Sequence, residues 1–79
     1  MTLRIISTDS IIFEGEAAMV TLPGTMGSFT VLPHHAALIS TLAEGSIVYR
    51  TSEDGPEESV HTDGGLVDVD SDVVSVCIY

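Results

Sequence analysis

The sequence predicts an all-β fold: a flattened antiparallel β-sandwich of two sheets with about ten short strands. Three observations predict it. Val, Ile and Thr supply 24 of the 79 residues, and β-branched side chains suit a pleated surface better than a helix. The apolar runs are short and recur at regular intervals. Clusters of Gly, Pro, Asp and Ser separate them.

Each strand has its own signal. Leu3–Ser7 is an apolar run ended by Thr8-Asp9-Ser10, and Ile11–Phe13 is stopped by Glu14-Gly15. Ala17–Leu22 runs into Pro23-Gly24, and Ser28–Leu32 is closed by Pro33. Ala37–Leu42 precedes Glu44-Gly45. Leu38, Ile39 and Leu42 also have helical spacing, but Leu38, Ser40 and Leu42 alternate and Gly45 ends the segment early, so strand is favoured. Ser46–Thr51 places Ile47 and Tyr49 on one face, with Val48 and Arg50 on the other. The acidic stretch Ser52–Glu58 reads as a solvated hairpin tip. Ser59–Thr62 leads to the turn residues Gly64 and Gly65. Leu66–Val69 sets Val67 and Val69 against a wet face carrying Asp68 and Asp70. After Asp70-Ser71-Asp72, Val73–Ile78 sets Val74, Val76 and Ile78 opposite Val73, Ser75 and Cys77.

Composition narrows the function. A chain of 79 residues allows one domain, spanning 1–79, with no deep enclosed active site. Twelve acidic residues face two arginines and no lysine, a net charge of −10. That argues against nucleic acid, whose phosphates need cations. It also argues against adsorption to anionic lipid, and the missing lysine excludes Schiff-base chemistry. No apolar run approaches the ~20 residues of a membrane helix, so no direct membrane insertion is expected. The opening Met1-Thr2-Leu3-Arg4 shows no signal peptide. A single cysteine, Cys77, forms no internal disulfide and favours a reducing compartment.

Candidate chemistry is thin. His34 and His35 are adjacent, so on a strand they point to opposite faces. His61 with Asp63 offers two metal ligands, where zinc needs three or four. Asp68-Val69-Asp70-Ser71-Asp72 opens like a calcium loop, but Val73 stands where glycine is required and Tyr79 where glutamate is. No nucleophile elbow occurs, and no carboxylate pair is marked by the pattern. No catalytic residue, metal or cofactor is therefore expected.

The most informative segment is Val20 to Leu38, VTLPGTMGSFTVLPHHAAL. Pro23, Gly24 and Gly27 make a tight turn between two strands. Met26 and Phe29 near its tip form either a contact surface or part of the core.

In this segment the chain resembles the epsilon subunits of F-type ATP synthases, called delta in mitochondria. The family pattern is V-T-L-P-G-x-x-G-x-F/L-x-V-L-P-G-H-A-P-L. Leu3-Arg4-Ile5-Ile6-Ser7-Thr8 followed by Phe13-Glu14-Gly15-Glu16 also fits, as do Leu42-Ala43-Glu44-Gly45, Asp63-Gly64-Gly65-Leu66-Val67-Asp68-Val69 and Val73-Val74-Ser75-Val76. The match runs in order along essentially the whole chain.

The resemblance implies a non-catalytic β-sandwich in the central-stalk rotor. Its partners would be the gamma subunit and the c-subunit ring, with the catalytic alpha/beta head reached indirectly. It implies a peripheral place on the cytoplasmic face of the bacterial inner membrane, coupling proton flow to ATP synthesis. Carried over by position, Ser7, His35, Ala36, Ala37, Ser40 and Ser46 would face gamma, while Thr25, Met26, Gly27, Ser28 and Phe29 would face the c ring.

Three departures stand out. Met26 and Ser28 replace the loop's usual acids. His34 replaces the glycine before the signature His35, where a positive φ would strain histidine. Ala37 replaces a proline. The family also continues into a C-terminal helical pair with inhibitory and ATP-binding roles, and this sequence stops at Tyr79. Two rival readings are a free-standing β-sandwich binding module and a small hydrolase using His35 or His61 as base.

Overall fold

The computed structural model describes residues 1–79 and contains nine strands with no helix. They are β1 (Thr2–Ile6), β2 (Ile11–Glu16), β3 (Met19–Gly24), β4 (Gly27–Val31), β5 (Leu38–Leu42), β6 (Gly45–Arg50), β7 (Glu58–Thr62), β8 (Gly65–Asp70) and β9 (Val73–Ile78). Every expected strand is present, and the ambiguous segment before Gly45 forms β5. Its five residues alternate rather than presenting a helical stripe.

The hydrogen-bonded ladder runs β2-β1-β9-β8-β5-β3-β6-β7, with β4 on the free edge of β3. β3 and β5 share one register pair, Gly24 with Leu42, and there the ladder folds into two leaves. Pro23 supplies a local reason. It pairs with Ser28 of β4 on one edge and has no N–H to donate on the other. Its carbonyl accepts from Ala43 N at 2.8 Å, so this edge of Pro23 is held by one hydrogen bond only.

Between the leaves lies one core of 15 buried residues, including Leu3, Ile5, Val20, Leu22, Val31, Ile47, Val67, Val69, Val74 and Val76. The alternation read from the sequence holds. Ile47 and Tyr49 are buried, as are Val67 and Val69, and so are Val74, Val76 and Ile78, while Asp68, Asp70 and Cys77 face solvent. Phe13 packs on Tyr49 with ring centroids 4.6 Å apart.

Three details correct the expectation. One pair is parallel: β1 lies beside β9, with Leu3 opposite Val74. Glu14-Gly15, expected as a turn, continues β2, because Arg4 pairs with Glu14 and Leu3 with Gly15. Pro23 and Gly24, assigned to a turn, are the last residues of β3, and the turn itself is Thr25-Met26.

Candidate interaction surface

The β3–β4 hairpin is tight, with Gly24 opposite Gly27. Gly27 has φ +127°, a conformation open to glycine and costly for other residues. Thr25 N donates to Thr41 O at 3.1 Å, and the two threonine hydroxyls are 2.8 Å apart. The loop is thus pinned to the end of β5. Met26 is 98% exposed at the tip. Phe29 does the opposite: it packs against the core, over Gly24, where a Cβ would come within 2.9 Å of its ring. The two readings of this tip therefore divide, Met26 to solvent and Phe29 to the interior. Thr25, Gly27 and Ser28 are exposed beside Met26.

The outer face of the β2-β1-β9-β8-β5 leaf carries an apolar row that the sequence reading did not pick out. Cross-strand register aligns Thr41, Leu66, Cys77, Ile6 and Ile11. Leu66 and Ile11 are exposed, and Ile39 is 71% exposed one row away. That next row is polar, reading Ile39, Asp68, Ser75, Arg4, Glu14. Arg4 Nε donates to Glu14 Oε2 at 2.7 Å. Ala37, Ile39, Asp68 and Asp70 border an open hollow of about 470 Å³. A second hollow of about 190 Å³ lies by Ile6, Ser7, Cys77 and Tyr79. The available signal was alternation: Leu66 shares the solvent side of β8 with Asp68 and Asp70, and Cys77 that of β9 with Ser75.

The residues expected to face gamma do not form one patch. Ser7 borders the second hollow, and Ala37 borders the first, next to exposed His35 and Ala36. These mark the two ends of the same leaf, since Ile6 pairs with Cys77 and Thr2 with Val73. Ser40 shares the inward side of β5 with Leu38 and Leu42. Ser46 belongs to the other leaf, opposite His61.

The histidines are dispersed, and none lines either hollow. His34 and His35 lie in the turn after β4, not on a strand. His34 has φ +66°, the strained conformation that a histidine in a glycine position implies. Its backbone N–H donates to Asp72 Oδ1 at 2.8 Å. That bond, helped by the positive N-terminus 3.7 Å away and opposed by partial desolvation, holds the Asp72 carboxyl below its ordinary range. His35 Nδ1 lies 2.8 Å from its neighbour's carbonyl, Ala36 O. His61 Nε2 lies 3.2 Å from Asp63 and 3.9 Å from Glu44. The calcium-like segment is a two-residue hairpin turn, with Ser71 and Asp72 both at positive φ between paired Asp70 and Val73. At the β7–β8 turn, Thr62 Oγ1 accepts from Gly64 N at 3.0 Å and donates to Gly64 O at 2.8 Å. Gly64 has φ +140°, and a Cβ on Gly65 would collide with Cys77 O.

These features match known proteins in order and in shape. A family model described as the β-sandwich domain of the ATP synthase delta/epsilon chain matches residues 1–78. An ATP synthase epsilon chain from Sulfurovum sp. (strain NBC37-1) is 43% identical over 72 residues, covering 91% of this chain and 56% of the relative. One from Synechococcus sp. (strain WH7803) is 38% identical over 78 residues, covering 99% of this chain and 56% of the relative. The chain thus spans little more than half the length of these relatives. A chain in the cryo-EM structure of the Euglena gracilis mitochondrial ATP synthase (OSCP/F1/c-ring) superposes with a TM-score of 0.87 at 26% identity, over 96% of this chain and 48% of the other. A chain of the Tetrahymena thermophila mitochondrial ATP synthase central stalk and c ring shares the fold, with a TM-score of 0.80 at 18% identity over 98% of this chain and 61% of that one. The chain belongs to the delta/epsilon chain family of ATP synthase, and its residues 1–78 are that family's β-sandwich domain.

Proposed function

We propose that this domain is a non-catalytic element of the central-stalk rotor, joining gamma to the c ring and so coupling proton flow to ATP synthesis. The observation that carries the reading is the apolar row on an otherwise acidic surface: Leu66, Cys77, Ile6 and Ile11, flanked by Ile39. An exposed apolar row on a monomer of this size suits a partner. In this reading gamma covers that face. Ser7, His35, Ala36 and Ala37 border the contact, while Ser40 and Ser46 fall outside it. The pinned loop at Thr25–Ser28 meets the polar loops of the c ring, with Met26 as its apolar tip. The alpha/beta head is reached only through gamma. Residues 1–79 act as a single domain without cofactor, peripheral to the membrane, on the cytoplasmic face of the bacterial inner membrane.

The test is calorimetric binding to gamma. Ile39→Glu and Ala37→Glu place a charge on the outer face and should weaken binding roughly tenfold or more, because a buried unpaired charge is costly. Ser46→Glu, on the other leaf, should bind like the parent. Parent-like binding by both face variants would overturn the assignment. With a net charge of −10, association should also slow as salt rises.

A further inference from the structure

We propose that Glu44, His61 and Asp63 form a binding site for a first-row divalent transition metal at the loop-bearing end of the sandwich. Sequence spacing offered two ligands, His61 and Asp63. The fold adds a third, because Glu44 in the β5–β6 turn comes beside His61 on β7. Register places Ser46 opposite His61 and Gly45 opposite Thr62, so the residue before Gly45 reaches the imidazole. His61 Nε2 lies 3.2 Å from Asp63 Oδ1 and 3.9 Å from Glu44 Oε2, and all three ligand atoms fall within 4.8 Å of one another.

Tetrahedral zinc holds nitrogen and oxygen ligands about 3.3 Å apart. The His61–Asp63 pair is already at that spacing, and the exposed Glu44 side chain is free to close the remainder. One imidazole with two carboxylates suits zinc-like ions, while magnesium and calcium prefer oxygen alone. The backbone beneath is firm. Thr62, between His61 and Asp63, is buried, and its hydroxyl bonds twice to Gly64.

No cation of the chain serves these carboxylates. Arg4 pairs with Glu14, Arg50 with Glu57, and the N-terminal amine with Glu16 and Asp72. There is no lysine. Ala43 N donates to Pro23 O beside this site, so a bound ion would brace the strand that carries the Thr25-Met26 loop. The site stands independently of the rotor reading.

The experiment titrates zinc chloride into the purified protein, followed by calorimetry and thermal unfolding. The variants are His61→Ala, the pair Glu44→Gln with Asp63→Asn, and the pair His34→Gln with His35→Gln. The five side chains are exposed, and circular dichroism checks folding. One zinc per chain and a raised Tm are expected in the parent. Affinity should fall about tenfold or more in the first two variants and stay unchanged in the third. Excess magnesium should not displace the zinc. Three results would overturn the site: parent-like affinity in His61→Ala, loss of binding in the His34/His35 variant, or no zinc binding.

Discussion

The backbone N–H of His34 is tied to the carboxylate of Asp72 at 2.8 Å, although 38 residues separate them. The bond joins the turn after β4 to the β8–β9 turn, and thereby links the two leaves outside the core. Because it favours the charged carboxylate, Asp72 titrates below its unfolded value. A depressed carboxyl adds stability above its unfolded pKa and loses it as pH falls through the folded one. Asp72→Asn should therefore lower Tm at neutral pH. The gap to the parent should close in acid, as scanning calorimetry across the carboxylate range would show. A gap that persists at low pH would mean that the charge is not the source.

His34 pays a conformational cost at φ +66°. Glycine meets no Cβ clash there and keeps the N–H that Asp72 accepts. His34→Gly should raise stability by about 1 kcal/mol, measured by urea unfolding. His34→Val should lower it, since β-branching tolerates this region worst.

At the loop, Met26 and Phe29 should separate cleanly. Met26→Asp alters a fully solvated side chain and should change stability by less than about 0.5 kcal/mol. Phe29→Asp should cost roughly 2–4 kcal/mol, because it removes a ring from the core margin and leaves a charge there. If Met26 touches the c ring, Met26→Asp should also depress proton-driven ATP synthesis while gamma binding stays intact. Unfolding of Met26→Asp would place that side chain in the core instead.

Gly27→Val should strain the same hairpin by about 1–3 kcal/mol, given φ +127°. A Cβ at Gly27 meets no atom within 4 Å, so the effect is conformational rather than steric. Gly27→Asn should be milder than Gly27→Val in thermal denaturation.

Tyr49 predicts behaviour at the alkaline end. Burial, and then the negative charge of Glu58, push its phenol up. A raised pKa means stability fully present below the unfolded value of ~10 and lost as pH climbs through the folded value. Tyr49→Phe should flatten the loss of Tm above pH ~10. An unchanged alkaline slope would assign that loss to other groups.

Most of the fold was legible because burial on a strand has a period of two. Val74, Val76 and Ile78 announce their inward face, and Ser71-Asp72 announces a turn. What escaped depends on which strands become neighbours. Nothing local in Leu66, Cys77 or Ile6 says that they align; only the β8-β9-β1 register does. Glu44 reaches His61 because β6 and β7 pair. Phe29 was ambiguous because a hairpin tip offers both solvent and core, and Gly24, by having no side chain, opens the inward choice. Ser46 lies on the other leaf from Ser7, which position along a family pattern does not show, because pairing decides which leaf a strand joins.

The parallel pairing of β1 with β9 also has a kinetic meaning. Leu3 faces Val74, so the first strand cannot complete its ladder until the last has left the ribosome. β2 and β1 wait as a solitary hairpin, and two strands alone are marginal in water. Sheet closure across nearly the whole chain carries a large loop-closure entropy, which places this domain with the slow-folding β topologies rather than the microsecond folders. During that wait the edge of β1 that β9 will cover, from Thr2 to Ile6, stays unpaired. The nascent chain is most exposed to mispairing just before its final strand arrives.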